Sequence, residues 1–531
     1  MRFEVTGIDL GVFIAYLILS RIIPLLFRGK NENSEDYFLG GRNFIWPLIG
    51  FSLVATNVSG STFVGLAGGA YTQGISIYAY EWMTTVVLVV FMFFILPFYL
   101  RSQVYTMPEF LSRRYDGRSR LAFSGFTVFT NIFIDLAVGL YAGAVVIQAI
   151  FPQYSLFVIA VALALLAGVY TSIGGLSSVM VSDTIQCIVI LIGGTLVFTL
   201  ALIAAGGWEQ ATQAATERQM SLILPANDPD LPWPGLITGA FIIGLYAWTV
   251  SQVSVQRTLG AKSLDHGRWG QIFCGFMKLT YLFLFIMPGI FALGLYPDLD
   301  NPDLAFPTIM FDILPIGIRG LILAALVAAV TSSIDSIVNA FSTVLTMDFV
   351  KNFRPQTSEA ALVNIGRIST VGALAVACGI APLVASFGTL YGFVQSALSY
   401  LTPPLVAVFI LGIMWPRITA TAAFTTLVTV IPLGVVFFIV NEVVLTRALG
   451  EAPIQFLYAA GISFAMAVVF LIGISLLQSP PDRESIRDVT WDPSYWREDT
   501  EELRGKPLLL NYRFWSVALL ISTAIIVFIF R

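Results

Sequence analysis

Apolar runs of about 20 residues, the length a helix needs to cross the hydrocarbon of a bilayer, recur along the whole chain with short polar stretches between them. On that measure the pattern predicts about fourteen transmembrane helices, beginning near residues 7, 44, 77, 120, 155, 183, 235, 270, 315, 362, 388, 419, 453 and 512. An all-α membrane protein is the expected fold class. Two runs break the pattern in their middle. In "FSLVATNVSGSTFVGLAGGAY", Phe51 to Tyr71, the residues Thr56, Asn57, Ser59, Gly60, Ser61 and Thr62 interrupt an apolar segment. Unwound backbone survives at membrane depth only where it is buried in protein or lines a cavity, so this reads as a helix broken at the midplane. A packing face of small residues is the alternative for this segment taken alone. The second, "GLYAWTVSQVSVQRTLG" from Gly244 to Gly260, is interrupted by Thr249, Ser251, Gln252 and Ser254. Five spans separate the two starts, the offset expected of a 5+5 inverted repeat with discontinuous first helices and a central solute site.

Composition sharpens this. Of 531 residues 57% are hydrophobic and 11% charged, with a mean hydropathy of +0.85, which places the chain among polytopic membrane proteins. One histidine and three cysteines, Cys187, Cys274 and Cys378, leave little for a metal cluster or a disulfide framework. A net charge of -4 gives no nucleic-acid footprint. With the N-terminus outside, most of the 28 basic residues fall in cytoplasmic loops such as "RSQVYTMPEFLSRRYDGRSR", "QRTLGAKSLDHGR" and "KNFRPQTSEAALVNIGR". Both termini are therefore expected on the extracytoplasmic side of the cell membrane. The run from Val12 to Phe27 has no small-residue cleavage site behind it and reads as a retained span rather than a signal peptide. The expected organisation is a leading helix and cytoplasmic loop (1–43), a first repeat (44–206), an extracellular loop (207–234), a second repeat (235–417) and trailing helices (418–531). Residues 478–512 read as a charged, solvated cytoplasmic linker. With no phosphate loop, acidic metal motif or soluble catalytic module, an enzyme is not expected and function is expected inside the membrane. The expected partners are the lipid bilayer and a small-molecule solute, with no obligate protein partner.

Candidate chemistry follows from the polar residues within the spans. In "AAVTSSIDS", Ala329, Ser332, Ser333 and Ser336 recur at helical spacing on one face, offering oxygen to a hard cation, though hydroxyls can also glue helices together. Glu81, Asp135, Asp183, Lys278 and Asp335 lie at membrane depth, where burial is costly and each is by default a functional hypothesis. Asp183 also fits a first-turn carboxylate favoured by the helix dipole, Asp135 a carboxylate paired with a polar helix, and Glu81 with Lys278 a buried brace between helices.

Six segments, "EDYFLGGRN", "SLVATNVSGSTFVG", "YEWM", "YTSIGGLSSVMVSDTIQ", "VQRTLGAKS" and "LVAAVTSSIDSIVNAFSTVLTMD", occur in an order that resembles the sodium/solute symporter family, and its sodium/sugar cotransporter branch in particular, from about residue 34 to 417. The resemblance implies a sodium-coupled symporter working by alternating access on an amino-acid-transporter-type fold. It places the coupling sodium on the Ala55 and Val58 carbonyls with Ala329, Ser332 and Ser333. A second sodium would fall on Asp183 and Ser336, where Asp335 departs from the family's usual hydroxyl. The solute positions fall on Asn57, Glu81, Lys278 and Gln395. Thr62, Ala247 between Tyr246 and Trp248, and Gly244 depart from the usual sugar ligands, and Thr62 and Trp248 are themselves candidate solute contacts. Asp135 borders the solute cavity by the same resemblance. A neutral monosaccharide or related polyol is the expected cargo; a sialic acid, carboxylate or vitamin is the alternative.

Overall fold

The computed structural model describes residues 5–27, 32–382, 390–450 and 452–531. Among these residues the regular secondary structure is all helical, with two isolated β-bridges. Eleven helices among the described residues are long and apolar enough to cross a membrane, and twelve if the bent pair Val394–Leu401 and Pro403–Met414 is one span. Two further expected spans account for most of the difference from fourteen. One is the broken segment Trp46–Asn57 and Gly60–Gln73, whose halves are each too short to cross. The other begins at Leu156 and belongs to a helical run of 49 residues, Leu156–Ala204, about 70 Å at 1.5 Å per residue and more than twice the hydrocarbon thickness. That run is interrupted at Gly175 (φ +62°), where a Cβ would meet the Tyr37 carbonyl oxygen at 2.6 Å. Only glycine fits both the left-handed backbone and the close approach. The expected start near residue 388 lies outside the described residues.

Both predicted breaks are present. Trp46–Asn57 ends at Val58 (φ -89°, ψ 88°), and Ser59 caps the next half by accepting the Thr62 N–H at 3.1 Å. In the second segment the chain unwinds at Ser251 (φ -63°, ψ 125°), between Tyr246–Val250 and Gln252–Leu259.

At the centre lies Ile318–Val344, the serine-bearing helix, buried without interruption from Ile322 to Val344. It packs against Leu156–Ala204 and against the leading helix Gly7–Leu26. The leading helix also caps it: the Asp9 carboxylate accepts the Gly317 and Gly320 N–H groups at 2.7 and 3.1 Å, a negative charge at a helix N-terminus. By contrast, Gly7–Leu26 and Tyr512–Ile529 keep most of their apolar surface exposed, as helices facing lipid do.

Two expectations need correction. Residues 478–512 are not a freely solvated linker, because Pro493–Leu503 forms a helix that docks through Asp499 and Tyr495 onto the fully buried Arg268 (2.8 and 2.9 Å). Burial pushes the Asp499 carboxyl up, but the Tyr512 hydroxyl and the Arg268 and Arg513 charges outweigh it and hold it below the ordinary carboxylate range. Arg257 and Arg268, counted among the cytoplasmic loop charges, are both buried.

Candidate functional site

At the first break, helix termination frees carbonyls that have no partner within their own helix. The serine helix meets them. Ser332 Oγ donates to the Ala55 carbonyl at 2.7 Å and Ser333 Oγ to the Thr56 carbonyl at 3.2 Å, and both also reach the Ala329 carbonyl, at 3.1 and 3.2 Å. Five uncharged oxygens thus converge, three carbonyls and two hydroxyls, a donor set suited to a hard cation of single charge. Ala55, Ala329, Ser332 and Ser333 are brought together as expected. Val58 is buried at the break beside them, while the second carbonyl bonded to serine belongs to Thr56.

One residue further on, a second cluster begins. Lys278 Nζ donates to Asn57 Oδ1 at 2.9 Å and to Glu81 Oε2 at 2.5 Å. Lys278 is fully buried and Glu81 nearly so, so each charge is balanced by the other in a low-dielectric setting. The ammonium also faces the Tyr281 and Trp248 rings, at 4.4 and 5.5 Å from their centroids, and Trp248 Nε1 donates to Thr84 Oγ1 at 3.2 Å. Thr62 Oγ1 returns to the Asn57 carbonyl at 3.4 Å. Gln395 is half-buried and bonds Tyr80, the neighbour of Glu81. Asp135 lies apart from this pair, half-buried and within electrostatic reach of Tyr246 at the second break.

Asp183 and Ser336 share a network whose centre sequence reasoning missed. Arg257 bonds Ser336 Oγ and the Val253 carbonyl, reaches Ser52 Oγ at 2.9 Å, and pairs with Asp183 Oδ2 at 3.4 Å. Ser52 Oγ donates to the same carboxylate oxygen at 2.5 Å, and the Thr56 and Ser336 hydroxyls lie 3.0 Å apart. A guanidinium therefore sits where a second cation would be placed by the resemblance. The available signal was the arginine within "VQRTLGAKS", a polar segment directly behind a broken helix. Asp335 points away from this network: Thr171 Oγ1 donates to its Oδ1 at 3.0 Å.

Residues 37–429 match the model of the sodium:solute symporter family. The chain belongs to that family. It is accordingly a membrane transporter and not an enzyme. Sodium/myo-inositol cotransporter 2 of Bos taurus is 33% identical, covering 95% of this chain and 82% of the relative, and the Homo sapiens protein of the same name is 32% identical with the same coverage. Sodium/glucose cotransporter 4 of Danio rerio is 30% identical, covering 94% and 83%. Among solved structures, a substrate-bound outward-open Na+-coupled sialic acid symporter superposes with a TM-score of 0.78 at 22% identity, over 90% of this chain and all of the other. The nucleobase-cation-symport-1 transporter Mhp1 in a closed conformation gives 0.57 at 13% identity, over 86% and 99%. At such identities these two establish a shared fold.

Proposed function

We propose that this symporter imports a neutral polyol, inositol-like or a monosaccharide such as glucose or galactose, together with sodium. The observation that carries the coupling is that ion and solute groups meet on one three-residue stretch: the Ala55 and Thr56 carbonyls bond the serine helix, and the Asn57 side chain bonds Lys278. Sodium held by the serines orders the end of the broken helix and thereby presents Asn57 to the solute, so each ligand strengthens the other by the same factor. Carboxylate, ammonium and amide groups at Glu81, Lys278, Asn57 and Gln395 can donate to and accept from ring hydroxyls. The names of the inositol and glucose relatives support the same class. Lys278 is already paired with Glu81, which leaves no spare positive charge for an anionic cargo, and Asp135 adds a further negative charge if it faces the cavity.

One sodium is assigned to Ala55, Val58, Ala329, Ser332 and Ser333. A second, on Asp183 and Ser336, requires the Arg257 guanidinium to withdraw, because a sodium beside it would leave an uncompensated buried positive charge. We further propose fourteen spans, with repeats at 44–206 and 235–417, and both termini on the extracytoplasmic side of the cell membrane. The deciding experiment is radiolabelled uptake into proteoliposomes with and without an inward sodium gradient. Unlabelled myo-inositol, glucose or galactose is expected to compete, and sialic acid and pyruvate are not. Robust sodium-driven uptake of a carboxylate overturns the neutral-solute reading, and a reversal potential corresponding to two sodium ions per solute restores the second ion.

A further inference from the structure

Tyr281 joins the two clusters of the site through a single side chain. It closes the helix Leu264–Tyr281, which also carries Lys278, and it has no solvent exposure. Its ring faces the Lys278 ammonium, 4.4 Å from the centroid, and the Phe285 ring packs against it edge-on at 5.0 Å. Its hydroxyl donates to the Val54 carbonyl at 3.5 Å. That carbonyl also accepts the Val58 N–H at 3.1 Å, the last helical bond before the first break, and the next two carbonyls, Ala55 and Thr56, are those bonded to the serine helix. A hydroxyl to carbonyl bond ordinarily measures about 2.7–2.8 Å, so the contact to Val54 is a loose one that a small displacement of either helix makes or breaks.

We propose that Tyr281 is the positioning residue that couples the solute groups to the sodium ligands. A solute that draws the Lys278 ammonium away from Glu81 and Asn57 changes the attraction between that ammonium and the ring. The ring is rigid about its two torsions, so its shift is carried to the hydroxyl and from there to the carbonyl that precedes the ion-binding turn. Sodium binding sends the same signal in reverse, because a coupling between two ligands is reciprocal. The inference rests on the assignment of sodium to the serine helix and of the solute to the Lys278 cluster. Tyr281 acts through Lys278 and Val54 and is assigned no ligand of its own.

The test follows thermal unfolding of the full-length protein in detergent as sodium is raised, with and without saturating myo-inositol, glucose or galactose. In the unmodified protein the solute is expected to lower the sodium concentration that gives half the stabilisation, and the ratio of that concentration without and with solute measures the coupling. Tyr281→Phe keeps the ring beside the ammonium and removes the hydroxyl. It is expected to cut the ratio about threefold or more, the scale of one neutral hydrogen bond, while the concentration measured without solute stays within about twofold of the unmodified protein. A purely structural role lowers the melting temperature and leaves the ratio alone, so a preserved ratio in Tyr281→Phe overturns the proposal. Should Tyr281→Phe fail to fold, Tyr281→Leu decides by the same ratio. A ratio lost in Tyr281→Leu but preserved in Tyr281→Phe gives the coupling to the ring without the hydroxyl and also overturns the link through Val54. If none of the three solutes moves the sodium curve of the unmodified protein, the neutral-solute reading falls and takes this inference with it; a normal ratio there that Tyr281→Phe leaves unchanged removes only the role of Tyr281.

Discussion

The two broken helices are alike in sequence and differ in what meets the break. At the first, the freed carbonyls of Ala55 and Thr56 face the short hydroxyls of Ser332 and Ser333. At the second, the Thr249 carbonyl accepts the Tyr99 hydroxyl at 2.8 Å and the Ser251 N–H returns to the Tyr246 carbonyl at 2.8 Å. Gln252 there bonds the Met107 N–H at 2.8 Å and the Tyr105 carbonyl at 3.1 Å. A serine hydroxyl can turn its proton aside and offer a lone pair to a cation in the same place. The Thr249 carbonyl and the Gln252 side chain at the second break are instead engaged with a large phenol and with backbone from a neighbouring loop. Unwinding alone thus does not make an ion site; the chemistry of the facing helix does.

The largest effect is expected where the first break meets the solute cluster. Lys278→Met leaves Glu81 buried without its counter-charge and Asn57 without its donor, and is expected to cost about 3–5 kcal/mol of stability together with all uptake. Thermal unfolding in detergent measures the first and proteoliposome uptake the second. Adding Glu81→Gln to Lys278→Met is expected to recover most of the stability and none of the uptake. Recovery of uptake would remove both side chains from the solute site and leave them as a brace.

Next in size are Ser332→Ala and Ser333→Ala. Each deletes a hydroxyl from the ion site, and each is expected to raise the half-saturating sodium concentration about tenfold or more, the scale of one hydrogen-bonding ligand to a charge. Potassium is expected not to substitute. If both variants keep the ordinary sodium dependence, the first break is not the ion site and the contrast between the two breaks dissolves.

Much of this was legible in sequence because membrane burial makes polar residues conspicuous. "ATNVSGST" and "TVSQVS" announced both breaks, and the spacing of Ala329, Ser332 and Ser333 announced a hydroxyl face. Lys278 and Glu81 stood out as lone charges in apolar runs. Arg257 did not, because a basic residue at the end of a span reads as a loop charge until the helix that buries it is known. The docking of 478–512 was equally illegible, since charge runs of that kind are ordinarily solvated and the order here comes from the buried Arg268.

Asp183→Asn gives a smaller and differently shaped effect. Arg257 then loses its counter-charge but keeps its bonds to Ser336, Val253 and Ser52. The variant is expected to be less stable on thermal unfolding and to keep the same sodium to solute ratio by reversal potential. A fall in that ratio would show that Asp183 does hold an ion, and would extend the ion-binding region beyond the carbonyls of the first break.

The smallest effect probes the second break directly. Tyr99→Phe deletes the hydroxyl that satisfies the Thr249 carbonyl and changes little else, since the ring keeps its place against Phe91 and Phe110. The loss is expected to be about 0.5–1.5 kcal/mol in thermal stability, one neutral hydrogen bond. The half-saturating sodium concentration is expected to stay within about twofold of the unmodified protein, a shift below the worth of one hydrogen-bonded ligand. If the Thr249 carbonyl instead took part in holding the ion, freeing it from Tyr99 would leave an extra oxygen for sodium and shift the sodium curve to lower concentration. Such a shift would mean that the second break was held in reserve by its phenol rather than closed by it, and the division of labour between the two broken helices would have to be redrawn.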